Sequence, residues 1–254
     1  MRPADDVGPI RPFVSQLARN PGTHVPRRIL NLTLVNDGAA MRREIAINDA
    51  VVAGWTGRDA AAVEKHVREL EQIGVKRPAT TPIFYRVSAA RLTTDAEIEV
   101  VGETSGGEAE FVLLQHGGRL WVGTGSDHTD RAVETYGVTV SKQMCDKPMA
   151  ATFWAFDEVA PHWDKLILRA HVTEGGKPVL YQEGSVAAML DPLDLIGRYT
   201  KSGGLAEDTL MFCGTLAAKG GVRPTVQFAF ELEDPVKGRK IAHAYTARTL
   251  PILG

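Results

Sequence analysis

Ser105-Gly-Gly-Glu108-Ala-Glu110-Phe-Val-Leu-Leu-Gln-His116-Gly-Gly-Arg-Leu120-Trp-Val-Gly-Thr-Gly-Ser-Asp127 is the stretch whose reading decides the fold. Glu110-Phe-Val-Leu-Leu reads as a strand leaving the tight turn at Ser105-Gly-Gly. Leu120-Trp-Val-Gly reads as a second strand returning from the turn at His116-Gly-Gly, and Asp127 lies just past its end. Strand side chains alternate between faces, so Glu108 and Glu110 point the same way. Two carboxylates on one face repel unless one stays protonated or a cation lies between them, and Mg2+ or Mn2+ takes such oxygen ligands. The hairpin carries Asp127 back toward Glu108 as a third ligand. Spacing allows a second outcome, in which Glu108 and Glu110 form a solvated strand edge and Asp127 caps the segment from Thr129 to Thr135.

Outward from this hairpin, strand-like segments dominate. Ile29-Leu-Asn-Leu-Thr-Leu-Val alternates, meets the hairpin signal Asn36-Asp-Gly and returns through Glu44-Ile-Ala-Ile. Further strands are expected at Ile83 to Val87, Ala96 to Val101, Lys165 to Thr173, Val179 to Gln182, Leu210 to Cys213 and Val226 to Leu232. Asp59 is placed to cap a helix running to about Ile73, with Val63, Val67 and Leu70 as its apolar stripe and Gly74 as its stop. Pro192 to Tyr199 and Phe156 to His162 read as further helix. Many short strands with few helices give an α+β, mainly β fold class. Residues 1 to about 26, punctuated by Pro3, Pro9, Pro12, Pro21 and Pro26, show no period and read as an arm packed on the body or on a partner subunit.

At 254 residues, 44% hydrophobic and 24% charged, the chain has the composition of a globular domain with a sizeable core. A net charge of -2 with dispersed Lys and Arg argues against a nucleic-acid partner. No apolar run approaches the ~20 residues of a bilayer span, and Met1-Arg-Pro-Ala-Asp-Asp lacks the apolar core of a signal peptide, so a cytoplasmic location with no membrane partner is expected. Cys145 and Cys213 make no disulfide framework and read as reduced thiols. Gly123-Thr-Gly125 lacks the third glycine of a dinucleotide fingerprint, Asp127, Asp130 and Glu134 do not have EF-hand spacing, and no G-x-S-x-G elbow occurs.

From about Val52 to about Pro224 the chain resembles the fumarylacetoacetate hydrolase superfamily, most of all an uncharacterised bacterial branch of it. Ala53-Gly-Trp-Thr-Gly-Arg-Asp, His66-Val-Arg-Glu69 and Pro82-Ile-Phe-Tyr are similar to that family's opening strand, its lid helix with H-x-x-E and its Pro-x-Phe strand. Glu108-Ala-Glu110 resembles its E-x-E metal motif, and Ser126-Asp-His-Thr-Asp-Arg131 its N-D-x-S-x-R segment, with Lys147 where the family places a lysine. Tyr181-Gln-Glu-Gly-Ser185 and Leu210-Met-Phe-Cys-Gly214-Thr215 resemble its Q-x-G-x-T and T-G-T segments. The departures are a shorter interval between Glu110 and Asp127, which leaves Asp130 as a rival third ligand, Ser126 in place of asparagine, Leu216 in place of proline and Met144-Cys-Asp-Lys147 in place of G-K-S.

The resemblance implies a rolled mixed β-sheet body of the family's C-terminal type. It divides the chain into an arm and hairpin over residues 1–50 and a catalytic domain over 51–254. It also implies a homodimer and a Mg2+ or Mn2+ ion held by Glu108, Glu110 and Asp127, chelating a small-molecule keto-acid substrate. The expected reaction is hydrolysis of a C–C bond in an acylpyruvate or related β-diketo acid, with a lyase (decarboxylase, or hydratase/dehydratase) or a non-catalytic scaffold as rivals. Hydrolysis asks for a general base and a cation for the new oxyanion. His66 oriented by Glu69, one helical turn away, and Lys147 fit those roles, with Lys142 as the competing lysine. Lys147 precedes Pro148 and so lies in extended backbone. Arg131 can pair with a ligating carboxylate or hold a substrate carboxylate by its fork, and Thr215 can donate to that same carboxylate. Without the resemblance, His66 and Glu69 read first as an exposed helix pair.

Overall fold

The computed structural model describes residues 28–72, 77–201, 203–251 and 253, apart from the side chains of His66, Glu69, Leu70 and Gln72. The arm expected over residues 1–26 and the helix stop at Gly74 lie outside the described residues.

Two sheets carry the fold. The larger has eight strands in the order Ala39–Ile47, Arg28–Asn36, Thr152–Ala155, Arg119–Ser126, Ala109–His116, Thr209–Thr215, Asp49–Gly54 and Ile83–Val87. It is mixed: Arg28–Asn36 runs parallel to Thr152–Ala155, and Thr209–Thr215 parallel to Asp49–Gly54, while the other neighbours are antiparallel. The smaller has five strands in the order Lys177–Ser185, Ile167–Glu174, Gln227–Asp234, Arg239–Leu250 and Glu97–Val101.

Alternate residues of the central strands enter two different cores. Phe111, Leu113, Met211 and Cys213 pack toward Leu168, Phe228, Phe230 and Tyr245 of the smaller sheet. Val112, Leu114, Leu210 and Phe212 join Ile45 and Ile47 from one edge strand and Tyr85 and Val87 from the other. A sheet whose two edges share one core has rolled up on itself, so the mainly β class and the rolled mixed body both hold. Burial on both faces also explains why Phe111-Val-Leu-Leu114 is a continuous apolar run rather than an alternating one. All four side chains are fully buried, and each such burial contributes roughly 1.5–3 kcal/mol, so a register slip of this strand is strongly disfavoured.

The hairpin at Asp37-Gly38 forms as expected, with both residues at positive φ (49° and 76°), the backbone of a type I′ turn. Asp59 caps the helix Ala60–Gln72, its Oδ1 accepting from Ala61 N at 2.9 Å and Ala62 N at 3.1 Å. Pro192–Thr200 is likewise helical, capped by Asp191. Phe156–Val159 makes a single α-turn that continues as 3-10 helix over Ala160–Lys165, so the strand expected from Lys165 begins at Ile167. Among the described residues, two strands of these two sheets escape the sequence reading. Thr152–Ala155 is only four residues long, and Arg239–Leu250 buries Ile241, Tyr245 and Ala247 among charged and small residues that blur its alternation. The helix Val138–Met144 was also not expected, and it carries Lys142. Among the described residues, no helix is long and apolar enough to cross a membrane.

Candidate metal centre

Gly117 and Gly118, both at positive φ (64° and 70°), form a two-residue turn that pairs His116 with Arg119. From there the register is forced. Each further pair steps one residue outward on both strands until Glu110 meets Gly125 and Ala109 meets Ser126. Beyond the ladder Asp127 stands opposite Glu108, its N donating to Glu108 O at 2.9 Å. Directly opposed residues share a face, so Glu108, Glu110 and Asp127 converge at the open end of the hairpin, each offering a carboxylate oxygen within 4.8 Å of the others. Glu110 is 2% exposed and Asp127 fully buried. A solvated strand edge is therefore excluded. The capping role weighed for Asp127 belongs to Asp130, whose Oδ1 accepts from Ala132 N (2.9 Å), Val133 N (3.0 Å) and Thr104 Oγ1 (2.9 Å). Asp130, weighed as a rival ligand, is not among the carboxylates that converge.

Three cations surround the carboxylates. Arg131, the first residue of the helix Arg131–Tyr136, places Nη2 3.2 Å from Glu108 Oε1 and Nη1 3.1 Å from Glu134 Oε2. Lys147 is fully buried, with Nζ 3.1 Å from Asp127 Oδ1 and donating to His128 O at 2.7 Å. Lys142, 7% exposed, donates to Asp127 Oδ2 through a very short contact and lies 3.7 Å from Glu108 Oε2. The lysine weighed as a competitor thus stands among the acids, and Lys147 behind them.

Electrostatics separate the two buried acids. Burial, and then the charge of Asp127, raises Glu110 well above the ordinary carboxylate range. Burial also pushes Asp127 upward, but Lys142 and Lys147 flank it and together hold it down at about 2. Burial followed by Lys147 and Arg131 lowers His128 to about 3, so its imidazole is neutral. The donor set, three carboxylates with no sulfur, fits a hard divalent ion, and Asp127 Oδ1, although beside Lys147, is buried with no aligned hydrogen bond.

The supporting residues come from distant strands. Gly214 N donates to Glu110 Oε2 at 2.7 Å across a bulge in Thr209–Thr215. Gly214 has φ +99°, and a Cβ there would sit 1.7 Å from Thr56 Oγ1, which itself donates to Cys213 O at 3.0 Å. Only glycine fits. Thr215 is committed to the scaffold: its Oγ1 donates to Ala109 O and accepts from Gln182 Nε2, both at 2.7 Å. Gln182 Oε1 in turn accepts from Ala109 N at 2.9 Å. On the other side, Ser126 Oγ and His128 Nδ1 both meet Tyr245 OH, at 3.0 and 2.8 Å, and Ser126 Oγ accepts from Glu108 N at 3.2 Å. Gly214, Gln182 and Tyr245 were missed as site residues because their partners are main-chain or buried groups far away in sequence. His66 and Glu69 lie on the helix Ala60–Gln72, which begins shortly after Thr56. Their side chains fall outside the described residues.

A family model described as "Protein of unknown function (DUF2848)" matches residues 53–245. No curated protein matches the chain. Among solved structures, it is similar to fumarylpyruvate hydrolase from Pseudomonas aeruginosa in complex with Mn2+ and pyruvate, with a TM-score of 0.55 at 12% identity over 87% of this chain and 97% of that one. It is also similar to 2-keto-3-deoxy-D-arabinonate dehydratase complexed with magnesium and 2,5-dioxopentanoate (TM-score 0.56, 13% identity, 83% of this chain and 77% of that one). A third is the yeast fumarylacetoacetate hydrolase family protein ynq8 (TM-score 0.53, 15% identity, 82% of this chain and 95% of that one). At these identities the likeness is one of fold, and the fold is the one the sequence resemblance implied.

Proposed function

The chain belongs to the DUF2848 family, and we propose that it is a divalent-metal-dependent hydrolase that cleaves a C–C bond in an acylpyruvate or related β-diketo acid, releasing pyruvate or a similar keto acid. The observation that carries this reading is the convergence of Glu108, Glu110 and Asp127 within 4.8 Å in a buried setting ringed by Arg131, Lys142 and Lys147. Such a site concentrates positive charge around acids that would otherwise repel, which suits an ion and an anionic ligand together.

Glu108, Glu110 and Asp127 would hold Mg2+ or Mn2+. When bound, the ion supplies Lewis-acid stabilisation of the charge that develops on the departing keto-acid fragment. Arg131 has a buried Nε without a hydrogen-bond partner, while its Nη2 faces Glu108 Oε1 at 3.2 Å without an aligned hydrogen bond, and its planar fork suits a substrate carboxylate. Thr215, its hydroxyl bonded to Ala109 O and Gln182 Nε2, would support the strand that carries Glu110 rather than contact that carboxylate. Hydrolysis adds water oxygen to a carbonyl carbon and breaks the adjacent C–C bond, sending its electron pair to the keto-acid side. We assign His66, with Glu69 beside it on the helix, to take the proton from that water; Lys147, buried behind the acids, would supply positive charge to the new oxyanion through space rather than by contact.

One observation favours a second reading, a lyase on the same site. The fold this chain shares with fumarylpyruvate hydrolase is shared equally with 2-keto-3-deoxy-D-arabinonate dehydratase. A keto-diacid decarboxylation would use the same three acids and needs no attacking water. The test is product analysis with Mn2+ and a panel of acylpyruvates, keto diacids and 2-keto-3-deoxy acids. Pyruvate release that is lost in His66→Ala supports the hydrolase. CO2 release or dehydration that survives His66→Ala supports the lyase.

A further inference from the structure

We propose that Lys142 is a tethered cation that occupies the ion's place among Glu108, Glu110 and Asp127, so that a divalent metal enters only by expelling it. The inference rests on the metal-site reading above and assigns a residue to regulating it.

Position is the first support. The Lys142 ammonium is bonded to Asp127 Oδ2, lies 3.7 Å from Glu108 Oε2, and is 7% exposed. The three acids offer oxygens within 4.8 Å of one another. An ion touching all three would lie between those oxygens, and an ammonium already in contact with one and near another cannot stay beside it.

Division of labour is the second support. Lys147 and Arg131 approach the acids from outside, and each has another acceptor: His128 O at 2.7 Å for Lys147, Glu134 Oε2 at 3.1 Å for Arg131. They can remain when an ion is bound. Lys142 Nζ has only these acids as hydrogen-bond or ion-pair partners among the described residues, so it is the cation whose position depends on their being free.

A resting place for the expelled ammonium is the third. The Tyr85 ring already lies under Lys142 Nζ at 5.8 Å, within cation–π range, so the ammonium keeps a partner there when it leaves the acids. The lysine sits on the short helix Val138–Met144, so its long stem can move while the backbone stays.

The consequence is an affinity set by competition. If the acids are free of Lys142 for only part of the time, the apparent metal affinity falls by that fraction. The test is Mn2+ titration calorimetry on wild type, Lys142→Met and Lys142→Gln, each checked for native circular dichroism; the glutamine variant keeps a neutral donor to Asp127 in case the methionine variant does not fold. Mn2+ affinity about tenfold or more higher in a folded variant than in wild type supports the proposal, as does binding seen in the variant but not in wild type. Wild-type binding that is unchanged or weakened in the folded variants overturns the proposal and leaves the metal reading intact. Absence of Mn2+ binding in all folded proteins overturns the metal reading, and this proposal with it.

Discussion

Asp127 stands opposite Glu108 across the hairpin, its backbone N donating to Glu108 O at 2.9 Å while the two side chains share Arg131 and Lys142 as neighbours. The pairing is dictated by the Gly117-Gly118 turn, eight residue pairs of ladder being fixed by one tight connection between His116 and Arg119. The third carboxylate of the cluster is therefore placed by turn chemistry rather than by any local motif.

Inserting one alanine between Gly117 and Gly118 is expected to move Asp127 out of opposition to Glu108 or to force a compensating bulge. Mn2+ binding should fall by at least about tenfold, and thermal stability should drop by roughly 1–3 kcal/mol as the turn loses its I′ geometry. Calorimetry and thermal denaturation read the two effects separately. Unchanged metal affinity in a folded insertion variant would show that the register does not position the ligand.

Gly214→Ala is expected to destabilise the protein by about 2–4 kcal/mol, because the new methyl overlaps Thr56 Oγ1 and the φ of +99° is strained for alanine. The corresponding fall in Tm is roughly 5–15 °C. Combining it with Thr56→Ala removes the overlap but not the strain, so the double variant should recover part of the loss. Additivity of the two single changes would contradict this account of the contact.

Much of this was legible in the sequence. Glu108-Ala-Glu110 announces two acids on one strand face, His116-Gly-Gly announces the turn, and the continuous Phe111-Val-Leu-Leu114 run announces a central strand. The rest depended on long-range packing. Gly214 holds Glu110 from a strand about a hundred residues away, an interaction made by a main-chain N–H that leaves no trace in side-chain chemistry. Lys142 reads in the sequence only as a competitor of Lys147, because the short helix Val138–Met144 that aims it at the acids has too few turns to show a period. Thr215 reads as a substrate contact from its place after Gly214, yet its hydroxyl is spent on Ala109 O and Gln182.

Metal binding should be linked to protons. Burial holds Glu110 above the ordinary carboxylate range, so the folded chain without metal keeps a proton there that the unfolded chain gives up at lower pH. The native state therefore binds more protons over that window. Glu110's contribution to stability without metal falls as pH rises from the ordinary carboxylate pKa through its raised value, and metal restores it by taking the place of the proton. Mn2+ affinity should accordingly rise with pH across the same window. Calorimetry in buffers of different ionisation enthalpy measures the released proton directly, and Glu110→Gln should abolish that release. A buffer-independent heat in wild type would contradict the assignment.

The central claim is a keto-acid site built on Glu108, Glu110 and Asp127, and titration calorimetry of oxalate, a mimic of an enolised pyruvate, tests it most directly. Wild type, Glu108→Ala and Lys142→Met are each titrated with and without Mn2+. Oxalate heat that requires both Mn2+ and Glu108 is the expected result. Oxalate binding that ignores Mn2+, or no Mn2+ binding in wild type and Lys142→Met alike, would contradict the account.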